Sequence, residues 1–261
     1  MERRNLLAAL AGSAFIGSSL SAAEEEQNTI LELKTWLLHN SAEDQSKRLT
    51  GYLQHGLAPA LERGGLKLNA AFGNLIGESG PYIVTVVEYP NLAAFGQSLA
   101  KIRADSAHTE AAQKLASGSG APFVRVDSTL LRSFDVMPRI ATAPAASSQG
   151  TRIFEMRTYE SPSFAALTRK VAMFNQGEAK IFERLGMQPV FFGEAFAGPR
   201  QPKLTYMLSY ESLAARDELW KKFGSDPEWN KLRATPGLSD AEIVSNISNV
   251  ILRPLAFSAI R

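Results

Sequence analysis

The sequence contains no cysteine and only three histidines among its 261 residues. Without cysteine the chain has no disulfide, no thiolate metal site, no cysteine nucleophile and no lipid attached at a mature N-terminal cysteine. The histidines, at His39, His55 and His108, do not show metal-ligand spacing, and no Gly-x-Ser-x-Gly elbow is present for a serine nucleophile. No Gly-rich phosphate loop follows a strand either. We therefore expect neither a metal nor a cofactor.

An excess of charge of one sign is also missing. The 28 Lys and Arg residues nearly balance the 26 Asp and Glu residues, for a net charge of +2. Such a balance does not indicate nucleic acid or an anionic membrane surface as a partner. A chain that is 45% hydrophobic and 21% charged is typical of a globular protein with buried cores. A small-molecule ligand remains as the expected partner, and the chain could be a monomer or a homo-oligomer.

No apolar run at the N-terminus is long enough for a comfortable membrane span. The stretch from Leu6 to Leu20 is short and rich in Ala, Gly and Ser. It follows Arg3-Arg4 and precedes the small residues 21–23, which predicts an export signal peptide over residues 1–23 and a periplasmic or other extracytoplasmic location. Residues 3–7 resemble a twin-arginine signal, although Glu2 stands where Ser or Thr is usual. An ordinary Sec signal is the alternative.

The chain does contain a long internal repeat. Residues 30–36 (ILELKTW) return as residues 153–159 (IFEMRTY). From Glu62 onward the offset is 121, whereas the first strand is displaced by 123, which predicts a two-residue difference in the helix that follows. The unit is too long for a solenoid repeat and has the length of a domain. We predict two domains, 24–136 and 151–261, joined by an Ala, Pro and Ser-rich linker at 137–150.

Each copy has the predicted element order β-α-β-β-α-β, which is that of a ferredoxin-like α+β domain. In the first copy, apolar periodicity and turn residues predict strands over 29–38, 66–76, 82–89 and 130–136, with helices over 43–63 and 91–115. In the second copy they predict strands over 152–159, 188–196, 204–210 and 249–257, helices over 164–185 and 213–223, and a break at 225–229 before a short helix. Both helices of a unit cover one sheet face, so the other face must be buried. We expect the two tandem sheets to pack face to face as one closed α/β barrel.

Alternation along the first strand of each copy separates an apolar face from a polar one. The apolar face carries Leu31 and Leu33 in one copy and Phe154 and Met156 in the other, and we expect it to lie under the helices. The opposite face is expected to look into the barrel, together with two arginines of the last strands. Its residues are Glu32, Lys34, Trp36 and Arg132 in the first copy, and Glu155, Arg157, Tyr159 and Arg253 in the second.

Two interpretations of this polar face stay open, because an unpaired buried charge costs several kcal/mol or more. The residues either form a structural ion-pair network that fixes the register of the sheets, or they line a ligand pocket. In such a pocket Arg157 and Lys34 would bind a carboxylate, enolate or carbonyl oxygen, with Trp36 and Tyr159 as stacking walls. The repeat does not separate the two, since structural and functional residues duplicate alike.

The second copy resembles a NIPSNAP domain. The resemblance rests on residues 153–159, on Tyr210 with residues 213–216, on the Asp-Pro-Glu-Trp turn at 226–229 and on residues 251–254. The first copy resembles a degenerate version, with Lys34 for the arginine, Trp36 for the tyrosine and residues 105–108 for the Asp-Pro-Glu-Trp turn. The resemblance covers nearly all of the mature chain and implies the dimeric α/β-barrel superfamily.

The resemblance implies no defined activity, because NIPSNAP proteins are largely of undetermined function. The wider superfamily includes cofactor-free monooxygenases of quinone-like substrates, and haem enzymes whose proximal histidine lies in the C-terminal domain, where this chain has none. We expect an exported protein that binds a small polar or aromatic ligand in a barrel pocket.

One alternative is a cofactor-independent monooxygenase or isomerase of the antibiotic-monooxygenase type. In it Arg157 would stabilise an enolate, Tyr159 or Trp36 would stack on the ring, and Glu155 would orient the substrate or accept a proton. The other alternative is a purely structural or interaction module.

Overall fold

The computed structural model describes residues 28–141 and 152–261. The predicted export signal at 1–23 and most of the predicted linker at 137–150 lie outside these residues. No helix within the two described ranges combines the length and the apolar character that crossing a bilayer requires.

The first half has the predicted order of strands and helices. Its helix after the first strand contains one π-helical turn, and its last strand begins five residues earlier than the prediction. The elements are β1 (Ile30–Leu37), α1 (Gln45–Tyr52), the π-helical turn (Leu53–Leu57), α2 (Ala58–Arg63), β2 (Leu68–Ile76), β3 (Tyr82–Tyr89), α3 (Leu92–Ala104), α4 (Ser106–Ala116) and β4 (Arg125–Ser133).

The second half repeats this order and again places a π-helical turn in its first long helix. Its last strand also begins earlier than the prediction. The elements are β5 (Ile153–Glu160), α5 (Phe164–Met173), the π-helical turn (Phe174–Glu178), α6 (Ala179–Arg184), β6 (Gln188–Ala197), β7 (Lys203–Tyr210), α7 (Leu213–Ser225), α8 (Pro227–Arg233), α9 (Asp240–Ile243) and β8 (Asn246–Pro254).

Aspartate caps explain why the second helical segment of each half is broken. Asp226 has extended backbone angles and accepts a hydrogen bond from the backbone N–H of Trp229 at 3.1 Å, so α7 ends there and α8 begins. Asp105 does the same for His108 at 2.9 Å. The break in the second half is confirmed, whereas the prediction of one continuous helix over 91–115 is wrong.

The net two-residue difference between the copies combines a shorter loop with a longer helix in the second half. The π-helical turns begin at Leu53 and Phe174, which already stand at the 121-residue offset. The connection from β1 to α1 uses residues 38–44, whereas β5 reaches α5 through residues 161–163, which is four residues fewer. Helix α5 has 10 residues and α1 has 8, which leaves the net difference of two. The length change therefore lies partly in the helix, as predicted, and partly in the loop before it.

The eight strands form one closed antiparallel barrel in the order β1-β3-β2-β8-β5-β7-β6-β4. The sheets of the two halves are joined edge to edge by hydrogen bonds, β2 with β8 and β4 with β6, and their inner faces oppose each other across the interior. Because neighbouring strands alternate in direction, β1 and β5 run parallel to each other. Repeat-equivalent residues therefore lie at the same end of the barrel.

The barrel interior is filled by the apolar face of the strands, so the predicted orientation of the two faces is wrong. Leu31, Leu33 and Phe154 pack inside with residues from the other strands, and the rings of Phe72 and Phe154 lie 4.7 Å apart. An eight-stranded barrel is just wide enough for side chains to fill it, and charges there would lack partners. Between sheet and helices, by contrast, the helices supply partners for the polar face.

One end of the barrel is closed by the two segments that follow β4 and β8. Ile140 and Ile260 both pack on the interior cluster. The backbone N–H of Ala141 donates to the carbonyl of Val190 at 2.9 Å, and that of Ile260 donates to the carbonyl of Asn69 at 3.2 Å. These closures leave the opposite end as the place where a ligand could enter.

Candidate functional site at one end of the barrel

A cavity of about 90 Å³ lies at the barrel end where β1 and β5 finish and β3 and β7 begin. Its apolar lining comes from Leu33, Met156 and Val250, which belong to or adjoin the interior cluster. Above them the lining is mostly hydroxyls and charged groups, from Thr35, Asp127, Thr129, Thr158, Lys203, Thr205 and Ser248. We call this the barrel-end cavity.

The lining follows the internal repeat. Thr35 and Thr158 are equivalent positions of the repeat at the offset of 123, and so are Leu33 and Met156. At the offset of 121, the first residue of β3, Tyr82, corresponds to the first residue of β7, Lys203. Repeat-equivalent residues of both halves therefore line the cavity, and the exchange of a phenol for an amine makes its two sides chemically different.

Lys203 is a buried cation on this lining. It is 5% exposed, and its Nζ lies 3.4 Å from Thr129 Oγ1. No carboxylate of the described residues lies within 4.0 Å of that nitrogen. Burial lowers the pKa of Lys203, and the charge of Arg200 lowers it further. The charges of Glu160, Glu78 and Asp127 act in the opposite direction but do not offset these two effects. The amine is thus partly dehydrated and incompletely paired, which favours an anion or a polar oxygen as its partner.

Tyr82 supplies a neutral hydroxyl on the opposite side. Its OH donates to the carbonyl of Gly77 at 3.1 Å. Burial, followed by the charge of Glu78, raises the pKa of Tyr82 to about 12, so the phenol stays protonated near neutral pH. The cavity therefore places a potential base or cation against an aromatic hydroxyl that does not ionise.

Two strand-connecting turns form the rim. Glu78 in the β2–β3 turn and Arg200 in the β6–β7 turn both have positive φ, 53° and 57°, a conformation that non-glycine residues adopt rarely. Glu78 Oε1 and Arg200 Nη2 approach to 3.9 Å across the opening, and both side chains are about half exposed. Such an exposed pair adds little stability, so ligand entry can separate it at small cost.

The predicted site residue Glu155 lies outside the barrel, under α7, and is fully buried. Its two oxygens accept hydrogen bonds from Arg216 (2.6 Å), Arg157 (2.9 Å), Asn249 (2.9 Å), Trp220 (2.9 Å) and Tyr210 (3.4 Å). Burial alone would raise the pKa of Glu155, but these donors and cations lower it to about 2. A carboxylate with its acceptor positions occupied in this way is not available to take a substrate proton.

Arg157 and Tyr159 belong to the same cluster. The Arg157 guanidinium lies 4.4 Å from the ring centre of Trp220, and it donates to Tyr159 OH at 3.2 Å. Tyr159 OH in turn lies 2.8 Å from Tyr206 OH. These contacts connect β5 and β7 to helix α7, so they favour the structural interpretation of the polar face in this half.

The first half carries a smaller version of this cluster. Glu32 accepts from Tyr89 OH at 3.0 Å and pairs with Lys34 Nζ at 2.9 Å, while Trp36 Nε1 donates to Thr85 Oγ1 at 3.0 Å. These groups also lie between sheet and helices. The structure therefore brings the predicted residues together within each half, not across the barrel.

Arg132 and Arg253 lie apart from both clusters. Both are exposed on strands at the seams between the halves, where Arg132 faces Glu194 and Arg253 faces Gly73 in the pairing register. The prediction that they join one network with Glu32 and Glu155 is wrong, because their strand positions place them at the two seams.

Sequence reasoning missed Lys203, although a signal for it existed. In β7 the alternation places Lys203, Thr205 and Met207 on one face, and Met207 belongs to the barrel interior. Recognising that face as the inner one requires the orientation of the barrel strands, which alternation alone does not give.

The sequence of residues 154–259 matches the family model described as NIPSNAP. No curated protein matches the sequence of this chain.

Solved structures of similar fold cover most of the chain. A candidate monooxygenase from Lactobacillus acidophilus NCFM is similar over 87% of this chain and 94% of its own, with a TM-score of 0.55 and 12% identity. An anthrone oxidase-like protein is similar over 88% and 93%, with a TM-score of 0.51 and 9% identity. A NIPSNAP family protein from Agrobacterium tumefaciens strain C58 is 22% identical over 46% of this chain and 100% of its own, with a TM-score of 0.39. At their identities, the likeness to the first two structures, with TM-scores above 0.5, shows the fold alone.

Proposed function

We propose that this chain, a member of the NIPSNAP family through the domain in residues 154–259, binds a small carboxylate- or carbonyl-bearing molecule in the barrel-end cavity. The observation that carries the proposal is Lys203, a buried amine without a carboxylate within 4.0 Å in the described residues. A ligand oxygen at Lys203 Nζ would supply the missing partner. The Leu33, Met156 and Val250 side chains would contact an apolar part of the same ligand.

The size and hydroxyl-rich lining of the cavity limit the ligand. An eight-stranded barrel holds either packed side chains or one small molecule, and here the packed part takes up most of the interior. Thr129 and Thr205 can donate to or accept from a ligand, which suits a carboxylate, carbonyl or hydroxyl oxygen.

The proposal is tested by calorimetry with acetoacetate, benzoate and salicylate on wild type and on Lys203→Met. A charge-assisted hydrogen bond contributes about 1.5–3 kcal/mol, so Lys203→Met should weaken binding by about tenfold or more. Lys180→Met removes an exposed lysine and should leave binding unchanged. Equal affinities of wild type and Lys203→Met would contradict the proposal.

A cofactor-independent oxygenase is the second candidate, supported by the fold likeness to a candidate monooxygenase and an anthrone oxidase-like protein. Since its pKa is lowered, Lys203 is suited to accept a proton from a CH₂ group next to a carbonyl, and the resulting ammonium would stabilise the enolate. The enolate would then be oxidised by O₂, the CH₂ becoming C=O and the second oxygen atom leaving as water.

An oxygen electrode with acetoacetate, a small molecule whose CH₂ group lies next to a carbonyl, separates this candidate from simple binding. The oxygenase predicts O₂ consumption above the spontaneous rate that Lys203→Met abolishes, and ¹⁸O₂ should label the product carbonyl. Ligand binding without O₂ consumption would support a binding protein instead. If the chain neither binds these probes nor consumes O₂, a structural or interaction module is the better interpretation.

We also interpret the two halves as tandem ferredoxin-like domains, 24–136 and 151–261. In support, the strand orders β4-β1-β3-β2 and β8-β5-β7-β6 are the same order for the two halves. Limited proteolysis tests the boundary, because a single early cut within 137–150 would separate two fragments of the expected masses.

A further inference from the structure

A second concavity, which we call the helix groove, lies on the outside of the first half between α1 with its π-helical turn and α4. Its volume is about 500 Å³, within the range of small-molecule sites. Gly51, Tyr52, Ala111 and Leu115 form its mainly apolar floor, and Lys47 and Lys114 stand at its edge.

The groove is open beside Gly51. No atom lies within 4 Å of the position that a Cβ on Gly51 would occupy. At the 121-residue offset, Gly51 corresponds to Ala172 and Ala111 corresponds to Leu232, so both residues are smaller in the first half. The helices are in close contact further along, because an added Cβ on Gly56 would lie 2.7 Å from Ala111 Cβ, just as one on Gly177 would lie 3.1 Å from Leu232 Cδ2. The free space of the groove therefore lies beside Gly51, where a larger side chain would enter it.

The aromatic side chain on the floor is held in place. Tyr52 OH lies 2.9 Å from His108 Nε2, and the Tyr52 ring packs edge-on against Trp36 with 6.4 Å between ring centroids. A fixed aromatic surface beside an open groove suits a planar apolar group.

Positively charged residues outnumber negatively charged ones at the edge of the groove. Lys47, Arg48 and Lys114 line the groove together with one carboxylate, Asp44, which caps α1 through the backbone N–H of Lys47 at 2.9 Å. Arg48 pairs with Glu43 at 3.1 Å, whereas Lys47 and Lys114 have no carboxylate within 4.0 Å among the described residues. Two free ammonium groups over an apolar floor are complementary to one kind of ligand, an anion with an apolar body.

We propose that the helix groove binds a small amphiphilic anion, with its apolar body on Tyr52 and Leu115 and its carboxylate, sulfonate or phosphate between Lys47 and Lys114. This site is separate from the barrel-end cavity, because it lies on the helical side of the sheet. It does not depend on the function proposed for Lys203.

The test is a fluorescence titration with 1-anilinonaphthalene-8-sulfonate on wild type and on Gly51→Leu. The leucine fills the groove, and it should not unfold the helix because leucine has a higher helix propensity than glycine. We expect Gly51→Leu to weaken binding at least about tenfold. Gly96→Leu is the matched control, since Gly96 is an exposed α3 glycine that also has no atom within 4 Å of an added Cβ. It should bind as wild type does.

A second variant tests the anion. Lys47→Gln with Lys114→Gln should weaken the same probe by about tenfold and reduce the salt dependence of its affinity. Decanoate should displace the probe from wild type, and Lys203→Met should bind the probe unchanged. The proposal is overturned if Gly51→Leu or the double glutamine variant binds as tightly as wild type, or if wild type does not bind the probe at about 1 mM.

Discussion

The ion pair between Lys170 and Glu178 tests how a buried charge is tolerated beneath the helices of the second half. Lys170 Nζ lies 2.9 Å from Glu178 Oε2, and the two side chains are 1% and 2% exposed. At the 121-residue offset the first half has Leu49 and Leu57 in these places, and Leu49 is fully buried. The chain itself thus shows an apolar pair that packs at equivalent positions.

We expect Lys170→Leu alone to lower the free energy of unfolding by about 3–5 kcal/mol, because it leaves the Glu178 carboxyl buried without its cation. Burial already raises the pKa of Glu178 against the attraction of Lys170, so the remaining carboxyl would be protonated on folding. The double variant, Lys170→Leu with Glu178→Leu, removes the desolvation costs of both charges. Its free energy of unfolding should equal that of wild type or exceed it by up to about 4 kcal/mol.

Urea denaturation at pH 7, followed by circular dichroism, measures these differences as shifts of the midpoint at constant slope. Exchanging the exposed pair Arg125 and Asp127 for glutamine and asparagine is the control and should change stability little. The single variant Glu178→Leu completes the comparison. The reasoning would be refuted if the double leucine variant lost as much free energy of unfolding as Lys170→Leu and Glu178→Leu together. That result would show that the pair contributes net stability that packing cannot replace.

Three further predictions concern the cluster around Glu155 and the N-terminus. Folding lowers the pKa of Glu155 from 4.5 to about 2, and this shift contributes roughly 3 kcal/mol to the free energy of unfolding. The contribution is fully present above pH 4.5 and is lost as the pH falls through 2. Glu155→Gln should therefore weaken the pH dependence of stability between these values, as measured by urea denaturation. Glu155→Ala should destabilise at pH 7 by a few kcal/mol, since Arg157 and Arg216 lose their anion; an unchanged melting temperature would contradict the structural role. We propose that residues 1–23 direct export. If the route is twin-arginine, the double variant Arg3→Lys with Arg4→Lys should leave the precursor in the cytoplasmic fraction of the cells. Continued export of this variant would indicate the Sec route.

The order of strands and helices could be predicted from the sequence, since local signals determine it. Apolar spacing located the strands β1 and β3, and the repeat confirmed the same order in both halves. The break at Asp105 was missed although an aspartate before Ser106 is a helix-cap signal. The start of β4 was missed because Arg125, Asp127 and Ser128 are polar, and their strand conformation comes from pairing with β1.

The location of the site could not be predicted, because alternation defines two strand faces without saying which one is inside. That choice depends on partners distant in sequence. Arg216 and Trp220 on α7 satisfy Glu155, which makes the polar face stable under the helices. Once the faces are exchanged, Lys203 rather than Arg157 points to the barrel interior, and the candidate site moves with it.

Closing the barrel by pairing β2 with β8 has a consequence for how the chain is made. Of the eight barrel strands, β8 leaves the ribosome last, so the edge of β2 stays unpaired while residues 77–254 are translated. At ~5–20 residues per second that interval is roughly 10–40 s. During it the first half exposes an apolar inner face and two unpaired strand edges, the features that promote aggregation. A chain that stops before β8 should therefore aggregate or complete its barrel with a second copy.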